Sequence, residues 1–287
     1  MDDAQLAREL EPVAERELAR HLSTARDWYP HEYVPWSEGE DFEGPLGGRA
    51  WDPSEQRFGE AARTSLIINL LTEDNLPSYH TAIATNVSSD GAWAAWLGRW
   101  TAEEARHGMV IRDYLLATRS VDPRALEDMR MTHMQEGFTA INPGFLAGLS
   151  YVSFQELATR VSHRNTGAAT QDPVGEQLLA RIALDENLHM VFYRDMLAEA
   201  LKIVPSQAVC AITDEIVDFK MPGAGMSGFL RKAAAIANAG IYDLRVHRDE
   251  VVMPILKYWG IFELTGLDRS EEHTSELQSR ETISYAV

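Results

Sequence analysis

The sequence predicts an all-α protein built around a four-helix core, and three observations carry that prediction. Apolar residues recur at helical spacing through most of the chain, strand-like alternation is sparse, and four glutamates interrupt the apolar stripes of four separate helical segments. The third observation is chemical as well as structural. A carboxylate on a core-facing stripe is costly to bury, so four of them demand protons or cations.

Taken in chain order, residues 4–24 read as an amphipathic helix. Trp28 to Pro53, rich in aromatic residues, Pro and Gly, reads as an ordered cap or loop. Helical patterns then occupy 57–87, 90–118, 122–136, 143–168 and 173–203, followed by 206–219, 226–239 and 243–258. Pro77 stands four residues after Glu73 and removes the amide that would bond the Glu73 carbonyl, which predicts a bend there. No internal repeat is evident, and 287 residues with 45% hydrophobic content suffice for one large domain, expected over 1–268.

Composition excludes several classes. No stretch approaches the ~20 apolar residues of a membrane span, and the first residues lack the basic region of a signal peptide, so a cytoplasmic location is expected. One cysteine, Cys210, allows no intramolecular disulfide. A formal charge of -18 argues against general nucleic-acid binding.

The chemistry concentrates in two motifs, Glu104-x-x-His107 and Glu186-x-x-His189. Roughly one such spacing is expected by chance in this composition, so the flanking residues carry the weight. Trp93, Trp96, Leu97, Trp100, Glu104, His107, Ile111 and Tyr114 form one stripe; Leu178, Leu179, Ile182, Glu186, His189, Tyr193 and Met196 form another. Glu156 continues the series Phe145, Leu149 and Val152 and precedes Thr159, and Glu73 follows Leu66 and Leu70. The inward stripes place no Lys or Arg beside these acids, which disfavours a purely structural ion-pair network. Four carboxylates and two imidazoles from four helices, with no thiolate, describe a dinuclear site suited to iron or manganese.

Longer segments now bear on the family. Thr72-Glu-Asp-Asn-Leu-Pro-Ser-Tyr79, Trp100-Thr-Ala-Glu-Glu-Ala-Arg-His-Gly108, Ser153-Phe-Gln-Glu-Leu-Ala-Thr159 with Ser162-His-Arg-Asn-Thr166, and Asp185-Glu-Asn-Leu-His189 resemble the soluble acyl-acyl-carrier-protein desaturases. The likeness runs from about residue 10 to Leu267 and is strongest to the actinobacterial branch.

The resemblance implies a ferritin-like four-helix bundle with additional helices and two iron ions per chain. Glu73, Glu104 and His107 would hold one iron, and Glu156, Glu186 and His189 the other, with Glu104 and Glu186 bridging. It also implies that Asp185 orients a ligand imidazole, that Thr159 lies beside the oxygen-binding face, and that Trp100 joins a route to the metals. Ile83, Thr85, Gly148 and Leu149 would line a bent apolar tunnel, with the small Ala82 beside it.

The reaction implied is oxygen-dependent insertion of a cis double bond into an acyl chain on acyl carrier protein. Electrons would come from a ferredoxin-type donor, and the chain would form a homodimer. The alternatives are another carboxylate-bridged di-iron oxygenase and a ferritin-like iron-binding protein. Lys202, Lys220, Arg231, Lys232, Arg245 and Arg248 are candidate cations for docking an acidic carrier.

His80 and His163 fall near Glu73 and Glu156 and read as supporting or core groups, whereas His21, His31, His133 and His247 match no acid constellation. Residues 269–287 resemble the translation of a sequencing-library adapter and are expected to be a disordered, artefactual tail.

Overall fold

Acidic caps and first-turn prolines set most of the helix starts. Asp2 caps α1 (Asp3–Glu9), Asp122 and Pro123 begin α6 (Pro123–Glu136), and Asp172 and Pro173 begin α8 (Pro173–Ile203). In each case a carboxylate accepts the amides that the first turn leaves unpaired. The computed structural model describes residues 1–220, 228–265 and 267. The 269–287 segment and the start of the expected 226–239 helix lie outside them.

Among the described residues the architecture is all helical, with one isolated bridge between Phe42 and Arg49. Four long helices form the centre: α3 (Glu60–Asp74), α5 (Gly91–Ala117), α7 (Phe145–Thr170) and α8. Around them lie α2 (Glu11–Thr24), packed on α5 and α8, and α9 (Pro205–Val217), packed on α7 and α8. α10 (Phe229–Asn238) packs on α3. The expected cap from Trp28 to Pro53 is ordered by Arg119, which donates to the carbonyls of Glu40 and Ala50 and pairs with Glu55.

Three expected helices are subdivided, each at a proline. Pro12 enters the first turn of α2, so 4–24 is two helices. The 57–87 pattern is not bent at Pro77 but broken: α3 ends at Asp74, and α4 (Leu76–Ala84) begins with Pro77 in its first turn. In 243–258 the α-helical ends, α11 (Leu244–Val246) and α12 (Met253–Tyr258), flank a π turn at His247–Val252. Pro254 cannot bond the Glu250 carbonyl, and the wider turn makes room for its ring.

The buried side chains fall into two apolar clusters separated along the bundle. Along α5, Trp93, Trp96, Leu97 and Trp100 belong to one cluster and Val110, Ile111 and Tyr114 to the other. α8 runs through them in reverse, with Leu178, Leu179 and Ile182 before Met190, Phe192 and Tyr193. Each such large side chain contributes about 1.5–3 kcal/mol on burial. The polar residues of both ExxH motifs lie between the clusters.

Candidate metal centre

Helical periodicity puts Glu104 and His107 one turn apart on α5, and Glu186 and His189 one turn apart on α8. Glu73, near the end of α3, and Glu156, midway along α7, complete the layer. All six side chains are buried. They form two groups, Glu73, Glu104, His107 and Glu186, and Glu104, Glu156, Glu186 and His189, with the potential ligand atoms of each group within 4.8 Å of one another. Glu104 and Glu186 belong to both.

His107 Nδ1 lies 3.2 Å from Glu104, 3.4 Å from Glu186 and 3.7 Å from Glu73. His189 Nδ1 lies 2.7 Å from Glu104, 3.5 Å from Glu156 and 4.0 Å from Glu186. The ring nitrogens on the far sides have acids of their own. His189 Nε2 is 2.9 Å from Glu103 Oε2, and His107 Nε2 is 3.5 Å from Asp185 Oδ2. With the far nitrogen protonated toward its acid, each Nδ1 carries a lone pair aimed at carboxylate oxygens.

Lone pairs facing lone pairs need a cation between them. Glu104 Oε1, Glu186 Oε1 and His189 Nδ1 are buried with no hydrogen-bond partner, as metal ligands would be. The residues present therefore fit a dinuclear group of oxygen and nitrogen ligation.

Electrostatics within the protein alone point the same way. Burial pushes Glu73 up from the usual carboxylate range, and Glu156 well above it, where the charges of Glu104 and Glu186 add to the effect. Burial also acts on Glu186, but the facing imidazoles of His107 and His163, 3.4 Å and 3.5 Å from Oε1, overcome it and hold that carboxyl well below the range. Both imidazoles go the other way from what burial favours: the surrounding carboxylates hold His107 and His189 well above an ordinary histidine. His163 follows them to about 9, against burial, because the carboxylates of Glu186 and Glu73 face its ring.

The supporting residues include several that the sequence reading missed. Each acid directly preceding an ExxH motif faces the histidine of the other motif: Glu103, which was missed, bonds His189 at 2.9 Å, and Asp185, which was anticipated, stands 3.5 Å from His107 Nε2 without a formed hydrogen bond. His21, expected to match no acid, is 2.9 Å from Glu103 and fully buried. Its partner acid lies 82 residues away, beyond the reach of local spacing. Trp28 donates to Asp185 at 2.7 Å, so the indole nearest the His107 acid comes from the cap segment. Trp100 instead donates to the ligand Glu156 at 2.9 Å. The doubled acids, Glu103-Glu104 and Asp185-Glu186, were the available signal.

A cavity of about 30 Å³ adjoins the layer, lined by Thr159, Gln155, Leu76, Tyr79 and Trp100 as well as four of the six candidate ligands. Thr159 is half-buried and donates to the carbonyl of Gln155 or Glu156. Ile83, Thr85, Gly148 and Leu149 do not line this cavity; Thr85 is exposed and Leu149 is packed in the core. Of the candidate docking cations, Lys202 pairs with Glu199, Arg231 with Glu60 and Arg248 with Asp249.

Comparison with known proteins bears on this arrangement directly. The family model described as fatty acid desaturase matches residues 2–280. A Mycobacterium tuberculosis protein named as an acyl-acyl-carrier-protein desaturase, DesA1, is 52% identical over 274 residues, spanning 92% of this chain and 80% of its own length. The chain belongs to the acyl-acyl-carrier-protein desaturase family. Within this desaturase family it falls on the actinobacterial branch, and its fold is the ferritin-like one. The crystal structure of the M. tuberculosis relative DesA2 superposes with a TM-score of 0.78 at 31% identity, covering 99% of both chains. More distant desaturases differ in substrate: a chloroplastic relative from Oryza sativa subsp. japonica, 32% identical over 93% of this chain and 74% of its own, is named a stearoyl 9-desaturase. One from Ophrys sphegodes, 30% identical over 92% of this chain and 70% of its own, is named a palmitoyl 4-desaturase.

Proposed function

We propose that this desaturase is an oxygen-dependent di-iron enzyme that inserts a cis double bond into an acyl chain presented on acyl carrier protein. The observation carrying the reading is the pair of buried ligand groups that share Glu104 and Glu186. One iron would be held by Glu73, Glu104, His107 and Glu186, and the other by Glu104, Glu156, Glu186 and His189. Bound there, the pair supplies the dioxygen-derived oxidising power that removing hydrogen from unactivated methylenes requires.

The protein's own contribution is to hold, orient and exclude. Glu103 keeps the His189 ring in the tautomer that directs Nδ1 inward, and Asp185, 3.5 Å from His107 Nε2, is the acid that would do so for His107. Trp100 and His163 fix the carboxylates of Glu156 and Glu73 through hydrogen bonds of 2.9 Å and 3.0 Å. Leu76, Tyr79 and Trp100 give the adjoining cavity an apolar wall that keeps water from the reacting carbons. The Thr159 hydroxyl, on the same cavity, is the protein group placed to hold a proton there. The further elements of the reading are a single domain over 1–268, a ferredoxin-type electron donor, a homodimer, and a cytoplasmic location. No described helix is long and apolar enough to cross a membrane. The tunnel residues Ile83, Thr85, Gly148 and Leu149 belong to the reading only if the tunnel opens on substrate binding.

The test is anaerobic iron loading followed by one exposure to oxygen with a panel of acyl-acyl-carrier-protein substrates, analysed for fatty-acid products. The expected result is a monounsaturated product in one chain length. Bound iron without any unsaturated product would favour the iron-binding alternative, and a hydroxylated product the di-iron oxygenase.

A further inference from the structure

A second cavity, of about 360 Å³, reaches the same carboxylates from the side of α5 and α6. Asp74, Pro77, Met109, Arg112 and Arg130 line it, together with Glu73 and Glu104. Met109 is 54% exposed, whereas both glutamates are buried. Its charged wall is unsuited to an acyl chain, unlike the apolar cavity beside Tyr79 and Trp100.

Glu127 stands outside the lining and meets it through Arg112 and Arg130, and from there inward the acids become steadily less exposed. The Glu127 side chain is 46% exposed, that of Asp74 8% and that of Glu73 4%. Arg130 spans the first two, donating to Glu127 Oε2 at 2.9 Å and to Asp74 Oδ1 at 2.9 Å. At the buried end stand Glu73 and Glu104, which both belong to the first of the two ligand groups. Gly108 lets α5 lie close to the end of α3 here: a Cβ there would stand 3.3 Å from Glu73 Cβ and 3.5 Å from Asp74 Oδ1.

We propose that this cavity is the entry route for divalent metal ions, which pass from Glu127 to Asp74 and then to Glu73 and Glu104. The proposal rests on the metal-centre reading above. Before an ion arrives, the Arg130 guanidinium serves as counter-ion to Asp74 and Glu127, which would otherwise repel each other. A divalent cation brings twice that charge and displaces the guanidinium as it moves inward. The chain's net charge of -18 raises the local concentration of cations at the mouth.

The experiment mixes metal-free protein with cobalt(II) chloride in stopped flow and follows the visible bands of the bound ion. Met109→Trp, which narrows the mouth, is expected to slow uptake severalfold. Glu127→Gln is expected to slow it about threefold and to weaken its dependence on salt. Val217→Trp, an exposed position on α9 outside both cavities, is expected to load at the wild-type rate, and all proteins should reach the same final cobalt content. Wild-type rates in both Met109→Trp and Glu127→Gln, or equal slowing in Val217→Trp, would overturn the route and leave the metal centre standing. A wild-type chain that takes up no cobalt would bring down the centre and the route together.

Discussion

Glu103 separates metal affinity from the ligand set itself. Its carboxylate accepts from His21 and His189, each at 2.9 Å, and these bonds hold it below the usual carboxylate range despite burial. Both rings bond the same oxygen, Oε2, while Arg99 donates to Oε1, so a glutamine turns its NH2 either on the Arg99 guanidinium or on the two imidazoles. In the first orientation donor faces donor and the charge that supports the His189 ring is gone; in the second His189 must move its proton to Nδ1, and the lone pair meant for the metal is lost. Glu103→Gln is therefore expected to keep the fold and to weaken metal binding by about 10- to 100-fold, measured by competition with a chelator. Equal affinity would remove Glu103 from the orienting role. A second expectation concerns protons. Glu73 and Glu156 favour their protonated forms through burial, and His107 and His189 favour theirs through the facing carboxylates. A metal must expel these protons, so affinity should rise with pH through neutrality and binding should release protons. Calorimetry in buffers of different ionisation enthalpy reads the proton count, and a count near zero would contradict the assignment.

At the scale of elements, the long helices were legible and their interruptions were not. α8 matches its expected range of 173–203 because Asp172, Pro173 and an unbroken stripe mark its start and course. The break after Asp74 was anticipated only as a bend: Pro77 forbids one hydrogen bond, but Asn75 is also bonded to His133 at 2.7 Å, across to another helix. Such tertiary partners leave no trace in local periodicity. The same limit hid His21 and Trp28, whose acids lie far along the chain, while the six residues that the fold gathers into the two buried groups stood out because each broke an apolar stripe. The π turn, another unforeseen interruption, makes stability depend on pH. It buries His247 against Phe219, with ring centroids 3.7 Å apart, and brings Tyr242 Oη to 2.8 Å from its Nδ1. Burial lowers the His247 pKa from 6.5 to about 4, so the unfolded chain takes up the proton first. Stability is then intact above the unfolded value of 6.5 and declines as pH falls toward about 4, by on the order of 3 kcal/mol in all. His247→Gln keeps an acceptor for Tyr242 and does not titrate. Its urea midpoint should change less between pH 7 and pH 4.5 than that of wild type, and parallel changes would exclude His247 as the source.

At the scale of the molecule, the acidic layer divides the apolar interior in two. Hydrophobic burial holds α3, α5, α7 and α8 together on either side of it, but between the clusters four buried carboxylates face two imidazoles. Without metal this layer works against folding, through desolvation and mutual repulsion. With metal the sign reverses, since each ligand group draws on three of the four central helices, and together the two groups join all four. Binding to the folded state alone stabilises it by about 2.7 kcal/mol per ion at a hundredfold excess over Kd. Two ions then give roughly 5 kcal/mol, or a rise in melting temperature on the order of 10 °C for a chain of this size. Calorimetric melting of the chelated and iron-loaded protein, both anaerobic, measures it. The gain should be local as well as global: amide exchange should slow most in α5 near Glu104 and in α8 near Glu186, and less at their ends, where the apolar clusters already protect the backbone. A loaded protein that melts with the chelated one, and shows the same exchange in these two turns, would mean that the acidic layer does not hold metal between the helices.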